Sequence, residues 1–219
     1  MIKKNKEIYN SQLDFVENAA YELQSPLAEF QTHINALDTR DDITSEQRKI
    51  IGNIKAISVR LDKLSKNLLL LSNIETDDFL VKESVSLNEI LNRQIDIYTP
   101  LAKQRNIVIS ADIPESITIK SNPVLIETLV ANLFENAIFH NISNGTIYVA
   151  LFKETITFYN TGVAKPLTKG KLFKRFSKVN PSSQGNGLGL VIIRKIVELN
   201  GWGVNYNHQN KQHIFQVTF

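Results

Sequence analysis

Val16, Ala20, Leu23, Leu27, Phe30, Ile34 and Leu37 follow one another at alternating spacings of four and three. Ile50, Ile54, Ile57, Leu61, Leu64, Leu68 and Leu71 repeat that spacing. A sustained 4-3 alternation keeps one stripe of a helix apolar, and the period of a strand does not reproduce it. Between the two runs lies the polar stretch DTRDDITSEQ, in which Thr44 followed three residues later by Gln47 has the form of a capping box. Two seamed helices with a short connection predict an antiparallel hairpin. One hairpin cannot enclose both seams, whereas two can do so as a four-helix bundle. A homodimer is therefore expected; the alternative is one hairpin packed on the remainder of its own chain.

Beyond residues 77–86 the period changes. We expect a helix over 87–105, strands over 107–113 and 116–120, and a helix over 123–140 opened by Pro123. A strand pair over 146–152 and 155–159 follows, then a polar stretch over 160–185. A helix over 188–200 ends at Gly201, and strands over 203–207 and 213–219 close the chain. Strands and helices in this mixed order predict an α+β domain, with helices on one face of a mixed sheet. The expected division is 1–80 for the hairpin and 81–219 for the α+β domain.

Composition narrows the function classes. Apolar residues at 42% suffice for a core in a chain of 219 residues. The absence of cysteine excludes disulfides, thiolate metal sites and thiol catalysis. A net charge of +3 is too small to argue for nucleic acid or a membrane surface. No apolar run approaches the ~20 residues that span a bilayer. The basic start MIKKNKEIYN lacks the apolar segment of a signal peptide.

Four segments could carry chemistry. Gly185-Asn-Gly187-Leu188-Gly189-Leu190 stands at the mouth of a helix. Glycines admit close backbone approach there, and free N–H groups at a helix start suit phosphate. The spacing is neither a dinucleotide fingerprint nor a P-loop. Asn132 and Asn136, four apart, share one helix face. Their carbonyl oxygens suit a Mg²⁺ that keeps water and phosphate ligands, although two solvated asparagines would read the same way. Asn160-Thr-Gly162 follows a strand, where a turn can aim an acceptor at a base edge. Leu172-Phe173-Lys-Arg175-Phe176 sets aromatics around a cation, as a hinged lid would, or as a simple apolar anchor would.

Taken in order, these segments resemble the N, G1, F and G2 boxes of the ATP-binding domain of sensor histidine kinases. That fold belongs to the gyrase, heat-shock chaperone and MutL ATPase superfamily. In the front half, Phe15-Val-Glu-Asn-Ala-Ala-Tyr21-Glu22-Leu-Gln-Ser25-Pro26-Leu27 resembles the family's H box, usually Phe-x5-His-Glu-Leu-x-Thr-Pro-Leu. The likeness runs from about residue 10 to 219. The wording of the boxes is similar to transmitter kinases common in Bacteroidetes. The resemblance implies a dimeric four-helix bundle followed by an α/β sandwich, with ATP and Mg²⁺ as cofactors. It implies Asn136 on the metal, Asn132 supporting the phosphate site, and Asn160 with Gly162 at the adenine. Phe173 and Arg175 would belong to the lid, and Gly185, Gly187, Leu188 and Gly189 would shape it over the triphosphate. The reaction implied is phosphorylation of a histidine from ATP, then transfer to the receiver domain of a response regulator. The family also implies a cytoplasmic location, with any membrane anchor upstream of this fragment.

Several positions depart from the pattern. Asn160 stands where the family has Asp; it can still accept a hydrogen bond but gives up charge assistance, which makes such bonds roughly twice as strong. Ala164 replaces a glycine, and Phe139 replaces a phosphate-binding cation. Above all, Tyr21 occupies the place of the phosphoacceptor histidine. The heptad phase puts it at a solvent-facing b position, with Pro26 just beyond to bend the helix. Imidazoles are ordinarily neutral at pH 7, whereas phenols ionise near ~10, and a tyrosine ester lacks the transfer potential of a phosphohistidine. Glu22 keeps the position of the family's general base. Glu22 and Ser25 also resemble a motif that hydrolyses a partner's phosphoaspartate. Three functions follow: a kinase core altered at its acceptor, a scaffold without catalysis, and a response-regulator phosphatase. Of the other histidines, His33 reads as a rim residue, His140 as the end of a helix, and His208 and His213 as hairpin residues without metal-ligand spacing.

Overall fold

The computed structural model describes residues 2–74, 77–114, 116–163, 165–168, 170, 172–174 and 187–219, with side chains from Phe15 onward apart from Asp77 and Asp78. The chain divides into two compact units, Met1–Asn73 and Ile74–Phe219.

The first unit is the hairpin of α1 (Ile2–Asp38) and α2 (Ser45–Asn73). Its connection closes as the capping box requires. The Thr44 amide donates to Gln47 Oε1 at 2.8 Å, and the Gln47 amide donates to Thr44 Oγ1 at 3.2 Å. Pro26 lies inside α1. It has no N–H to offer the carbonyl one turn back, at Glu22.

The two apolar seams part company. Ala20 and Ile34 on α1 are buried; on α2 the buried stripe Ile51, Ser58, Ser65 and Leu69 is shifted by one residue from the expected seam, and at its end Leu71 of that seam is buried too. Ser65 Oγ donates to the Ala20 carbonyl at 2.7 Å, which sets this stripe against α1. Small residues there let the helices approach closely. The other half of each seam stays open: Leu23, Phe30 and Leu37 on α1, with Ile50, Ile57 and Leu61 on α2, are all exposed.

The second unit runs α3 (Asp77–Leu80), β1 (Glu83–Ser86), α4 (Leu87–Lys103), β2 (Val108–Asp112), β3 (Thr118–Ser121), α5 (Pro123–Phe139), β4 (Thr146–Phe152), β5 (Thr155–Thr161), α6 (Gly189–Asn200), β6 (Gly203–Gln209) and β7 (Gln212–Thr218). The main sheet has the order β2-β4-β5-β7-β6, with β2 parallel to β4 and the other pairs antiparallel. The remaining strands, β1 and β3, pair antiparallel with each other. Strand β1 was not expected. Its four residues are too few to show a period of two, and it exists because β3 offers it a partner.

One face of the sheet carries the core. Ile147, Val149 and Leu151 on β4, Ile156 and Phe158 on β5, and Phe215 and Val217 on β7 are buried. Helices α4, α5 and α6 pack on β2, β5 and β6, which is the expected single layer. Helix α5 lies between α4 and α6 and is apolar around most of its circumference for that reason. Its Phe134 stacks on Tyr98 of α4 at 5.4 Å and meets Phe158 of β5 edge-on at 4.8 Å. Asn122 caps α5 by accepting from the amides of Val124 and Leu125, directly before Pro123.

Candidate nucleotide site

Helix α5 aims its polar residues at two neighbours. Asn132 is buried, and its Nδ2 donates to the Thr128 carbonyl at 2.8 Å. Its Oδ1 then faces α6: a Cβ added to Gly189 would sit 2.9 Å from that oxygen. Gly189 is glycine because nothing larger fits between α6 and Asn132. One turn further along α5, Asn136 is half-buried. Its main-chain carbonyl accepts from the His140 amide, which ends the helix.

The start of α6 lacks a side-chain cap. Gly187 has φ 71°, a left-handed conformation that favours glycine. Leu188 occupies the N-cap and provides no side-chain hydrogen bond there. The first-turn amides of α6 therefore have no side-chain cap, at the positive end of the helix dipole. Gly201 closes the other end of α6 in the left-handed conformation, as expected.

Strand β5 delivers the third element. Asn160 continues the buried row of Ile156 and Phe158 and is only 1% exposed. It pairs with Ile147 on β4 and with His213 on β7. Its Nδ2 lies 2.9 Å from the Thr161 carbonyl. A carbonyl only accepts, so the amide orientation is settled by chemistry. Asn160 Oδ1 is left buried with no hydrogen-bond partner. Such an acceptor costs about 1–3 kcal/mol, and a ligand amino group would satisfy it.

Two residues on, a Cβ on Gly162 would come within 2.5 Å of the His213 ring and 3.2 Å of the His140 carbonyl. The end of α5, the end of β5 and the middle of the last hairpin thus meet at Gly162. Phe173 lies against α6, its ring 5.9 Å from the Arg194 guanidinium, and Leu172 beside it is buried. Arg175, Phe176, Gly185 and Ala164 lie outside the described residues.

His140 is held below the ordinary histidine range, first by burial and then by the nearby Arg105. Arg105 itself donates to the Ile138 carbonyl at 2.8 Å and lies 5.8 Å from the Phe139 ring. Among the described residues there is no group of three or more His, Asp or Glu that could hold a metal. A Mg²⁺ here would rest on the Asn136 side chain together with phosphate and water oxygens, a donor set that fits this ion.

Residues 121–219 match the family described as Histidine kinase-, DNA gyrase B-, and HSP90-like ATPase. The second unit is an ATPase domain of that type. With the hairpin before it, the chain has the layout of a sensor histidine kinase transmitter core. It is 30% identical to the sensor histidine kinase HprS of Escherichia coli (strain K12) over 213 residues, covering 93% of this chain and 46% of that protein. It is 30% identical to the heme sensor protein HssS of Staphylococcus aureus (strain Newman), covering 90% of this chain and 44% of that one. The chain thus spans about half the length of the curated relatives it matches. Acinetobacter baumannii histidine kinase AdeS shares the fold at a TM-score of 0.62 and 19% identity, over 91% of this chain and 96% of that one.

Tyr21 lies on α1 and is 51% exposed, as the heptad phase required. Glu22 and Ser25 are exposed on the same helix. No helix among the described residues is long and apolar enough to cross a membrane. Sequence reading placed His213 in the last hairpin without a role and did not single out its partner Tyr206. The signal that could have found them is the strand register, which brings His213 level with Asn160.

Proposed function

We propose that this chain is the ATP- and Mg²⁺-binding core of a two-component sensor kinase, dimeric through its hairpin, with Tyr21 at the phosphoacceptor position. The observation that carries the nucleotide reading is the orphaned Asn160 Oδ1, buried beside Gly162. An adenine amino group is the donor it lacks. Asn132 and the uncapped start of α6 take the phosphates, and Asn136 holds the metal. Gly187, Leu188 and Gly189 form the described part of the phosphate loop, with Gly185 before them. Phe173 and Arg175 belong to the lid. Bound ATP would supply the phosphoryl group. Glu22, exposed beside the acceptor position, takes the proton of the attacking group.

Dimerisation is supported by the open half-seams of α1 and α2, six large apolar side chains facing water on one small unit. The partner in signalling is the receiver domain of a response regulator, and the chain acts in the cytoplasm. Any link to the membrane comes through a segment outside this chain.

Tyr21 favours a second reading. A phenol ester does not pass its phosphoryl group to an aspartate, so the hairpin serves as a scaffold, or as a phosphatase through Glu22 and Ser25. Incubation of the unaltered chain with Mg-ATP is expected to leave no acid-labile phosphohistidine, at His33 or elsewhere, and Tyr21→His is expected to create it. Acid-labile label on the unaltered chain would overturn the assignment of Tyr21. A silent Tyr21→His variant that still binds an ATP analogue would favour the scaffold.

A further inference from the structure

Two histidines and a tyrosine of the last hairpin have no place in the site as described so far. His213 is buried, and both of its ring nitrogens are engaged. Nε2 lies 3.1 Å from the Val163 carbonyl. That oxygen can only accept, so Nε2 carries the proton and Nδ1 is bare. Nδ1 lies 2.8 Å from Tyr206 Oη and must take the tyrosine's hydrogen. Tyr206 Oη in turn accepts from the Leu167 amide at 2.9 Å. All three bonds therefore run in one direction. The series starts at Leu167 and ends at Val163, both on the chain leaving β5 just past Asn160 and Gly162. Two side chains, from β6 and β7, thus clip that chain by its backbone at two points. The His213 ring also fills the space beside Gly162.

We propose that His213, braced by Tyr206, is a positioning residue for the base end of the nucleotide site, and that it works only as the neutral Nε2–H tautomer. This rests on the nucleotide reading above. Holding Val163 and Leu167 fixes the exit of β5, and with it the Thr161 carbonyl that orients the Asn160 amide. If the exit shifts, Asn160 Oδ1 no longer meets the base.

Protonation breaks the series. A second N–H at Nδ1 would point at an oxygen that already receives the Leu167 amide, and the tyrosine hydrogen would lose its acceptor in a buried place. Beyond the Val163 carbonyl, which favours the charged ring, the named groups facing His213 supply no negative charge to compensate. Tyr206 and His208 come from β6, the latter with its ring 4.9 Å away, His140 comes from the end of α5, and its neighbour in register on β5 is the neutral Asn160. Burial, first, holds His213 below the ordinary histidine range; the Val163 carbonyl is the next effect and opposes it, and the charges His208 and His140 would carry add lesser pushes downward.

The test uses the full chain and a non-hydrolysable ATP analogue, with affinity measured calorimetrically from pH 5.5 to 8. Nitrogen NMR of the wild type is expected to show the Nε2–H tautomer at His213 and slow exchange of the Leu167 amide. Affinity is expected to hold around neutral pH and to drop only on the acid side of the ordinary histidine range, because His213 is held below it. Tyr206→Phe keeps the ring against Phe215 but cuts two hydrogen bonds, and is expected to weaken binding about tenfold at pH 7.5. His213→Gln can still reach Val163 with an amide N–H. It is expected to bind better than His213→Leu and to lose the part of the acid-side decline that His213 causes. Affinities within about twofold of wild type in Tyr206→Phe and His213→Leu would overturn the positioning role while leaving nucleotide binding intact. A His213→Gln variant with an unchanged pH profile would do the same. Absence of any binding by the wild type at pH 7.5 would instead defeat the nucleotide reading, and this proposal with it.

Discussion

Gly162→Ala puts a methyl group where the His213 ring already sits. The added Cβ would fall 2.5 Å from Cδ2, 2.7 Å from Nε2 and 3.2 Å from the His140 carbonyl oxygen. Non-bonded carbons rest at about 3.5–4.0 Å, so the ring must retreat by about 1 Å. It cannot do so freely, because Val163 and Tyr206 hold both of its nitrogens. The backbone gives no reason for glycine here, since Gly162 is not among the residues with positive φ. Overpacking of this kind costs about 1–3 kcal/mol, or roughly 2–12 °C in Tm for a unit of this size. Trp202, the only tryptophan of the chain, packs edge-on to Phe219 at 5.0 Å, so its fluorescence follows unfolding of the second unit. His213→Ala alone also destabilises, by opening a cavity. In the double variant the new methyl enters that cavity, and the two costs are expected to fall short of their sum by about 1–2 kcal/mol. Additivity within about 0.5 kcal/mol would refute the claim that His213 is what demands glycine at this position.

The two buried serines of α2 are expected to respond with opposite signs. Ser65→Ala loses the bond to Ala20 and costs about 1 kcal/mol, whereas Ser58→Ala removes a buried hydroxyl that has no partner and gains about 1 kcal/mol; helical ellipticity in denaturant reads both. Leu23→Glu or Ile57→Glu places a charge on the open seam, and light scattering is expected to show a monomer with unchanged Trp202 fluorescence. Acid is expected to destabilise the second unit: His140 and His213 are both held below their ordinary value. The unfolded chain therefore binds protons first, so stability is full above ~6.5 and is lost as the pH falls from there through the lowered folded values. A flat unfolding midpoint between pH 7.5 and 5 would contradict that.

Much of the architecture was legible because it rests on local signals. Thr44 and Gln47 announced the capping box, Pro123 the start of α5 and Gly201 the end of α6, and each depends on contacts within a few residues. The alternating rows of β4 and β5 were readable for the same reason. Boundaries moved by a residue or two where helices frayed. Strand β1 could not be read, since its existence depends on β3, more than thirty residues further on. The seams were legible as apolar, but not the division of labour within them. Ser58 and Ser65 look like polar surface in a hydropathy pattern, yet they form the stripe that faces α1.

The sequence by itself determined the paired helices, their place before the strands and the exposure of Tyr21, because periodicity and turn chemistry act along the chain; the four boxes were legible only through the family resemblance. Only the tertiary structure decided what those residues meet. Asn132 faces Gly189 across helices, Gly162 is reserved for the ring of His213, and Asn160 presents an acceptor because Thr161 occupies its donor. Each of these is set by a close approach of groups or by the direction of a hydrogen bond. No spacing along the chain encodes those distances.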